Sequence, residues 1–108
     1  MVTTLIRFLV PGTSNRFRCG GLSVELQTAR LVAGLCATEV VTYRQRQLDC
    51  AFLDDCLKAE KPDPSVLWIV SWGFDVPGLI RRLRGHRVAY HAHSSGYGFD
   101  LPAGVQVL

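Results

Sequence analysis

The chain has 108 residues, of which 48% are hydrophobic and 19% are charged, and its formal net charge is +3. This length is typical of one domain, and the ordinary composition excludes a disordered or low-complexity protein. The charge is too small to argue for a nucleic-acid partner, and no run of about 20 apolar residues predicts a membrane-spanning helix.

The N-terminus lacks the basic region, the separate apolar segment and the cleavage site of a signal peptide, so we expect a cytoplasmic protein. The cysteines agree with that expectation. They are Cys19, Cys36, Cys50 and Cys56. No two have the C-x-x-C spacing of zinc sites, and we predict free thiols in a reducing compartment.

The first predicted unit is a strand, a long loop and a helix. The apolar run Thr4–Val10, interrupted only by Arg7, predicts a strand buried on both faces. The loop after it reaches Gly21 and exceeds the roughly 2–6 residues usual before a helix. From Gly21 to Gly34, apolar residues recur every three or four positions and predict a helix. These residues are Leu22, Leu26, Ala29 and Ala33. Glu25 lies off this stripe and is expected at the surface.

The rest of the chain continues the alternation of strands and helices. Four further short runs, rich in β-branched and aromatic residues, predict strands. They are Glu39–Tyr43, Val66–Val70, Arg87–Ala92 and Val105–Leu108. Leu48–Lys61 predicts the second helix. The third helix is expected to begin after a cap at Asp75 and to end at Gly85.

This order of elements predicts an α/β fold of one domain, with a Rossmann-like, mostly parallel sheet and helices on both faces. Ligands of such sheets bind beyond the carboxyl ends of the strands. Because the chain stops inside the last predicted strand, we expect residues 1–108 to be a portion of a longer protein.

The glycine pair Gly20-Gly21 lies at the carboxyl edge of the predicted sheet, where the first helix begins. A backbone without Cβ lets a phosphate or a sugar approach the amides closely. A turn that needs unusual backbone angles explains the pair equally well. The pair matches neither G-x-G-x-x-G nor a loop with G-K-[ST], so the sequence carries no nicotinamide or ATPase signature.

Two histidines lie near the end of the fourth predicted strand. His91 and His93 share a face if the strand continues through both. We expect His93 to reach a ligand and His91 to be a hydrogen-bonded core residue. A metal site is disfavoured because no carboxylate or cysteine is adjacent. Trp72 is placed to stack on a sugar ring, whereas Trp68 is expected in the core.

The chain resembles the N-terminal domain of glycosyltransferases with two facing Rossmann-like domains, in particular the retaining enzymes of glycosyltransferase family 4. The resemblance lies in the opening strand LIRFLV, the loop ending in GG, the helix ELQTARLVAGL and the strand and loop VAYHAHSSGYGF. It covers nearly the whole chain but only the first half of such an enzyme.

The resemblance implies that a sugar passes from a nucleotide-sugar donor to an acceptor with retention, with no cofactor and no essential metal. The amides of Gly20 and Gly21 would face the donor diphosphate or the acceptor, and His93, followed by Ser94, would approach the sugar. The remaining residues expected to bind donor or acceptor are Ser14, Asn15, Arg16, Trp72 and Ser94.

The second domain of the family, which binds the donor, is absent from this chain. One half of a cleft cannot exclude water or organise charge around a departing diphosphate, so we expect the isolated chain to be inactive. A peripheral association of the full-length enzyme with a membrane stays open, and nucleic acid is not an expected partner.

Two other functions stay open. The long first loop also fits a stand-alone nucleotide- or phosphate-binding module of Rossmann or flavodoxin type. The second is a non-catalytic interaction domain whose third helix, with Arg81, Arg82 and Arg84, meets an acidic partner.

Overall fold

A computed structural model describes residues 2–14, 17, 20–71, 75–91 and 105–107, and for residues 20, 21, 106 and 107 it describes the backbone alone. The described residues form six strands and three helices. The strands are β1 Leu5–Val10, β2 Thr38–Thr42, β3 Ala51–Phe52, β4 Val66–Val70, β5 Arg87–Tyr90 and β6 Gln106–Val107. The helices are α1 Gly20–Ala33, α2 Leu53–Ala59 and α3 Val76–Arg82.

The strands form one sheet with the order β3-β2-β1-β4-β5-β6, and every pairing is parallel. The central strand β1 pairs with β2 on one side and β4 on the other, so that Phe8 lies between Val40 and Ile69. The strand order changes direction between β1 and β4, and in open α/β sheets this is where ligands bind. The predicted Rossmann-like α/β fold is confirmed.

Alternate residues of the strands point to opposite faces of the sheet, and apolar side chains form a core on each face. On one face, strand residues pack against α2 and α3, and this cluster includes Leu9, Val41, Trp68, Val70, Leu53, Cys56, Leu79 and Leu83. On the other face, strand residues pack against α1, and these clusters include Phe8, Val10, Ile69, Leu22 and Ala29. The helices therefore cover both faces, as predicted, and Trp68 is a core residue with 1% exposure.

Arg7, the polar residue in the first apolar run, is buried on the α2 side of the sheet. Its guanidinium pairs with Glu39 and with Glu60 and lies 4.9 Å from the centre of the Trp68 ring. Burial acts to lower the pKa of Arg7, but hydrogen bonds with Glu60 and Glu39 outweigh it and raise that pKa. Arg7 therefore satisfies its charge within the fold and does not interrupt the strand.

The second helix was predicted too long. The helix begins at Leu53 and not at Leu48, and Leu48 is fully exposed. The residues just before the helix form strand β3, in which Ala51 pairs with Val41 and Phe52 with Thr42. This pairing occupies backbone groups of β2 that would otherwise form an open sheet edge, and so it competes with a helix there.

The other predicted elements agree with the structure to within about two residues, the usual uncertainty of element ends, except that α3 ends at Arg82 with Leu83, and not Gly85, as its C-cap. Strand β4 has the predicted bounds, and the side chain of Asp75 caps α3 by accepting a hydrogen bond from the Gly78 amide. Gly85 follows α3 with a φ of 89°. The predicted end of the fourth strand at Ala92 lies outside the described residues.

Three cysteines, Cys36, Cys50 and Cys56, are free thiols, as predicted, and Cys19 lies outside the described residues. Burial raises the pKa of the Cys50 and Cys56 thiols, which makes them poor nucleophiles. In the part of the chain that the structure describes, no helix is long and apolar enough to cross a membrane.

Candidate functional site

The candidate site lies at the carboxyl edge of the sheet, beside the point where the strand order changes direction. Strand β1 ends at Val10, and α1 begins at Gly20, within the glycine pair. The first turn of a helix presents backbone N–H groups without intrahelical partners, and the helix dipole favours an anion there. The predicted start of the first helix is thus confirmed to within one residue, while a ligand role for Gly20 and Gly21 stays a prediction.

Two loops of this edge are joined by hydrogen bonds. The Thr13 amide donates to Gln47 Oε1 at 2.7 Å, and Gln47 Nε2 donates to Thr13 Oγ1. Ser14 Oγ donates to Gln45 Oε1 at 2.9 Å. The loop after β1 is therefore fixed to the loop after β2, as the carboxyl ends of adjacent parallel strands allow.

A close contact within the first loop explains one of its glycines. A Cβ at Gly12 would lie 2.6 Å from the Phe17 ring and 3.1 Å from Gln45 Oε1. Phe17 is 5% exposed and packs with Val10 and Leu22. The aromatic ring therefore ties the loop to both β1 and α1, and only a residue without a side chain fits at position 12.

A buried carboxylate joins α1 to the end of β5. Glu25 lies in the second turn of α1 with 1% exposure, so the prediction of a surface residue was wrong. His91 Nδ1 donates to the two Glu25 oxygens at 3.0 and 3.2 Å. His91 directly follows β5, and its amide donates to the Val70 carbonyl at 2.8 Å. His91 is hydrogen-bonded, as predicted, but it is half-buried and not the core residue that was expected.

The helical spacing contained the signal that would have located Glu25 correctly. Glu25 lies three residues after Leu22 and four before Ala29, and both of these are buried. Residues at these separations share a helix face, so Glu25 belongs to the buried face. A carboxylate there needs a hydrogen-bond donor, and the sequence offers His91 at the same edge of the sheet.

The Glu25 carboxylate determines how the His91 ring is presented. Carboxylate oxygens accept hydrogen bonds, so this contact favours a proton on Nδ1 of the imidazole. It also restricts rotation of the ring about the side-chain torsions. Paired carboxylate and imidazole groups of this type orient histidines in many enzyme sites.

The comparisons with known proteins give no family. No protein-family model, curated protein or solved structure matches the chain. The resemblance to glycosyltransferase family 4 therefore stays a prediction.

The predicted site residues fall into two groups. Ser14, Gly20 and Gly21 belong to the described edge, where the Ser14 hydroxyl bonds to Gln45 and the two glycines begin α1. The other predicted residues lie outside the described part of the chain. They are Asn15, Arg16, Trp72, His93 and Ser94. Within the described residues, no group of three or more His, Cys, Asp or Glu side chains is placed to hold a metal ion.

Proposed function

We propose that the chain is the N-terminal, acceptor-side domain of a retaining glycosyltransferase, which transfers a sugar from a nucleotide-sugar donor. One observation carries the proposal. The helix after the glycine pair and the strand that ends just before His91 both belong to the segments that carry the resemblance, and they meet through Glu25 and His91. These residues are 66 positions apart in sequence, and their side chains are 3.0 Å apart.

The parallel sheet supports the same proposal. The start of α1 lies beside the strand-order reversal, where Rossmann-like folds bind phosphorylated ligands. The Glu25–His91 hydrogen bond holds the chain at His91, two residues before His93, the proposed contact of the transferred sugar. In this proposal the glycine amides face the diphosphate or the acceptor, and a second domain supplies the nucleotide contacts.

The proposal is tested with the whole polypeptide that the gene encodes. We expect it to transfer sugar from one or more UDP-, GDP- or ADP-sugars to an acceptor, which mass spectrometry detects as a mass increase of one sugar. Proton NMR of the product is expected to show the anomeric configuration of the donor. If no donor is consumed, the proposal is wrong, and an inverted product would exclude the retaining reaction.

The glycine pair is tested by Gly21→Val in the same polypeptide. A side chain at the start of α1 keeps a ligand away from the amides, and we expect turnover to fall at least about tenfold, since loss of one donor to developing charge costs about 10²–10³ in turnover. Gly34→Ala is the matched control, because a Cβ there meets only the Leu31 carbonyl, at 3.5 Å. Unchanged turnover in Gly21→Val would mean that the glycine pair only forms a turn.

The histidine assignment is tested in the same assay. We expect His93→Ala to lower turnover directly, since the proposal places its ring against the sugar. If His93→Ala keeps full activity and His91→Ala loses it, His91 is the ligand contact and the assignment is wrong.

A further inference from the structure

We propose that a basic cleft between the end of β2 and α3 binds the phosphate group of a small organic phosphate. The cleft has a volume of about 510 Å³, within the range of small-molecule pockets. Its basic lining residues are Arg44, Arg81 and Arg82, and Asp75 is its acidic one. The proposal is independent of the transferase proposal, because it concerns different residues and requires no second domain.

The arginines reach the cleft from two distant parts of the sequence. Arg44 follows β2, whereas Arg81 and Arg82 lie in the last turn of α3. The guanidinium group is always charged, and its planar fork matches the oxygens of a phosphate. Convergence of three such groups on one concave volume distinguishes this cleft from a solvated helix face.

Asp75 and Arg82, which line the cleft, have partners within the fold. The Asp75 carboxylate accepts from the Gly78 amide at 3.2 Å, and Arg82 forms an ion pair with Asp54 at 2.5 Å. Arg81 is exposed and forms no ion pair with any described residue. Its positive charge is therefore available to an anionic ligand.

The cleft also has an apolar side, which indicates more than a bare phosphate. Tyr43 and Leu79 line it with 9% and 5% exposure. A sugar or aromatic ring bonded to the phosphate would contact these side chains, and aromatic side chains in pockets often pack against ligand rings in this way. The expected ligand class is thus a phosphate ester with a ring.

The test is an NMR titration of the ¹⁵N-labelled chain with phenyl phosphate, in parallel with inorganic phosphate and phenol. We expect phenyl phosphate to cause saturable shifts at the Tyr43, Leu79 and Arg81 amides, inorganic phosphate to bind more weakly, and phenol to cause none. Arg81→Gln is expected to weaken binding at least about fivefold, the loss typical of a charge-assisted hydrogen bond.

The matched control is Arg84→Gln, which removes a nearby exposed arginine that does not line the cleft. We expect it to change the affinity by less than about twofold, because a charge outside the cleft acts only through screened, long-range attraction. The proposal is overturned if no saturable shifts occur at the cleft, if Arg84→Gln and Arg81→Gln weaken binding equally, or if phenol binds as tightly as phenyl phosphate.

Discussion

Removal of the Glu25 side chain tests the contact on which the site depends. In Glu25→Ala, the His91 ring loses an acceptor that is 1% exposed and lies 3.0 Å from Nδ1. A hydrogen bond to a charged group contributes about 1.5–3 kcal/mol. The His91 side chain is 27% exposed and regains water.

We therefore expect Glu25→Ala to lower the free energy of unfolding by about 2–3 kcal/mol, the upper part of this range, because the Glu25 side chain is buried. For a chain of this size, each kcal/mol changes the melting temperature by roughly 4 °C, so it should fall by about 10 °C. Urea unfolding, followed by circular dichroism, measures the change in the free energy of unfolding. Gln27→Ala, at an exposed position of the same helix, should cost less than about 0.5 kcal/mol.

The interaction itself is isolated by a double-mutant cycle with His91→Ala. We expect a coupling energy of about 1–2 kcal/mol, because the two side chains are in direct contact. Additive effects of the two substitutions would refute the reasoning, even if each substitution alone were destabilising.

Three further predictions concern stability. Burial lowers the pKa of His86 below its usual 6.5, so the contribution of His86 to stability is complete above about pH 6.5 and is lost as the pH falls. In His86→Gln, the free energy of unfolding measured in urea should therefore change less between about pH 7 and pH 5 than in the parent chain. Gly12→Ala should cost about 1–3 kcal/mol through its clash with Phe17, whereas Gly34→Ala, the control, should not destabilise. Asp75→Ala should cost about 1 kcal/mol by removing the cap of α3, measured by the same method.

Each of these predictions has an outcome that contradicts it. An unchanged pH dependence in the His86 variant would show that other groups cause the acid destabilisation. Equal melting temperatures for the two glycine variants would mean that the ring next to Gly12 moves at no cost. An Asp75→Ala variant as stable as the parent chain would show that the cap contributes nothing.

The sequence predicted the sheet well because its signals are local. The run Val66–Val70 is short and wholly apolar, and it forms a strand with those bounds. The predicted second helix wrongly included Leu48–Phe52, because Leu48 and Phe52 continue the helical spacing of apolar residues, which is also a local signal. Pairing of Ala51 with Val41 depends on the open edge of another strand, which a periodic pattern does not record.

The candidate site was predictable in its position but only partly in its residues. Parallel topology predicts that the loops after β1 and β2 meet, and hydrogen bonds from Thr13 and Ser14 confirm this. The side-chain partner of His91 was missed because Glu25 was judged by its charge. Its place on the buried face of the helix, between Leu22 and Ala29, outweighs that charge once a hydrogen-bond donor is near.

The most direct measurement of the central claim compares sugar transfer by the isolated 108-residue chain with transfer by the whole encoded polypeptide, under the same conditions. The proposal predicts transfer with retained anomeric configuration by the polypeptide and none by the isolated chain, because a half-cleft cannot organise charge around the leaving diphosphate. Transfer by the isolated chain, or an encoded polypeptide without a second α/β domain, would contradict the claim.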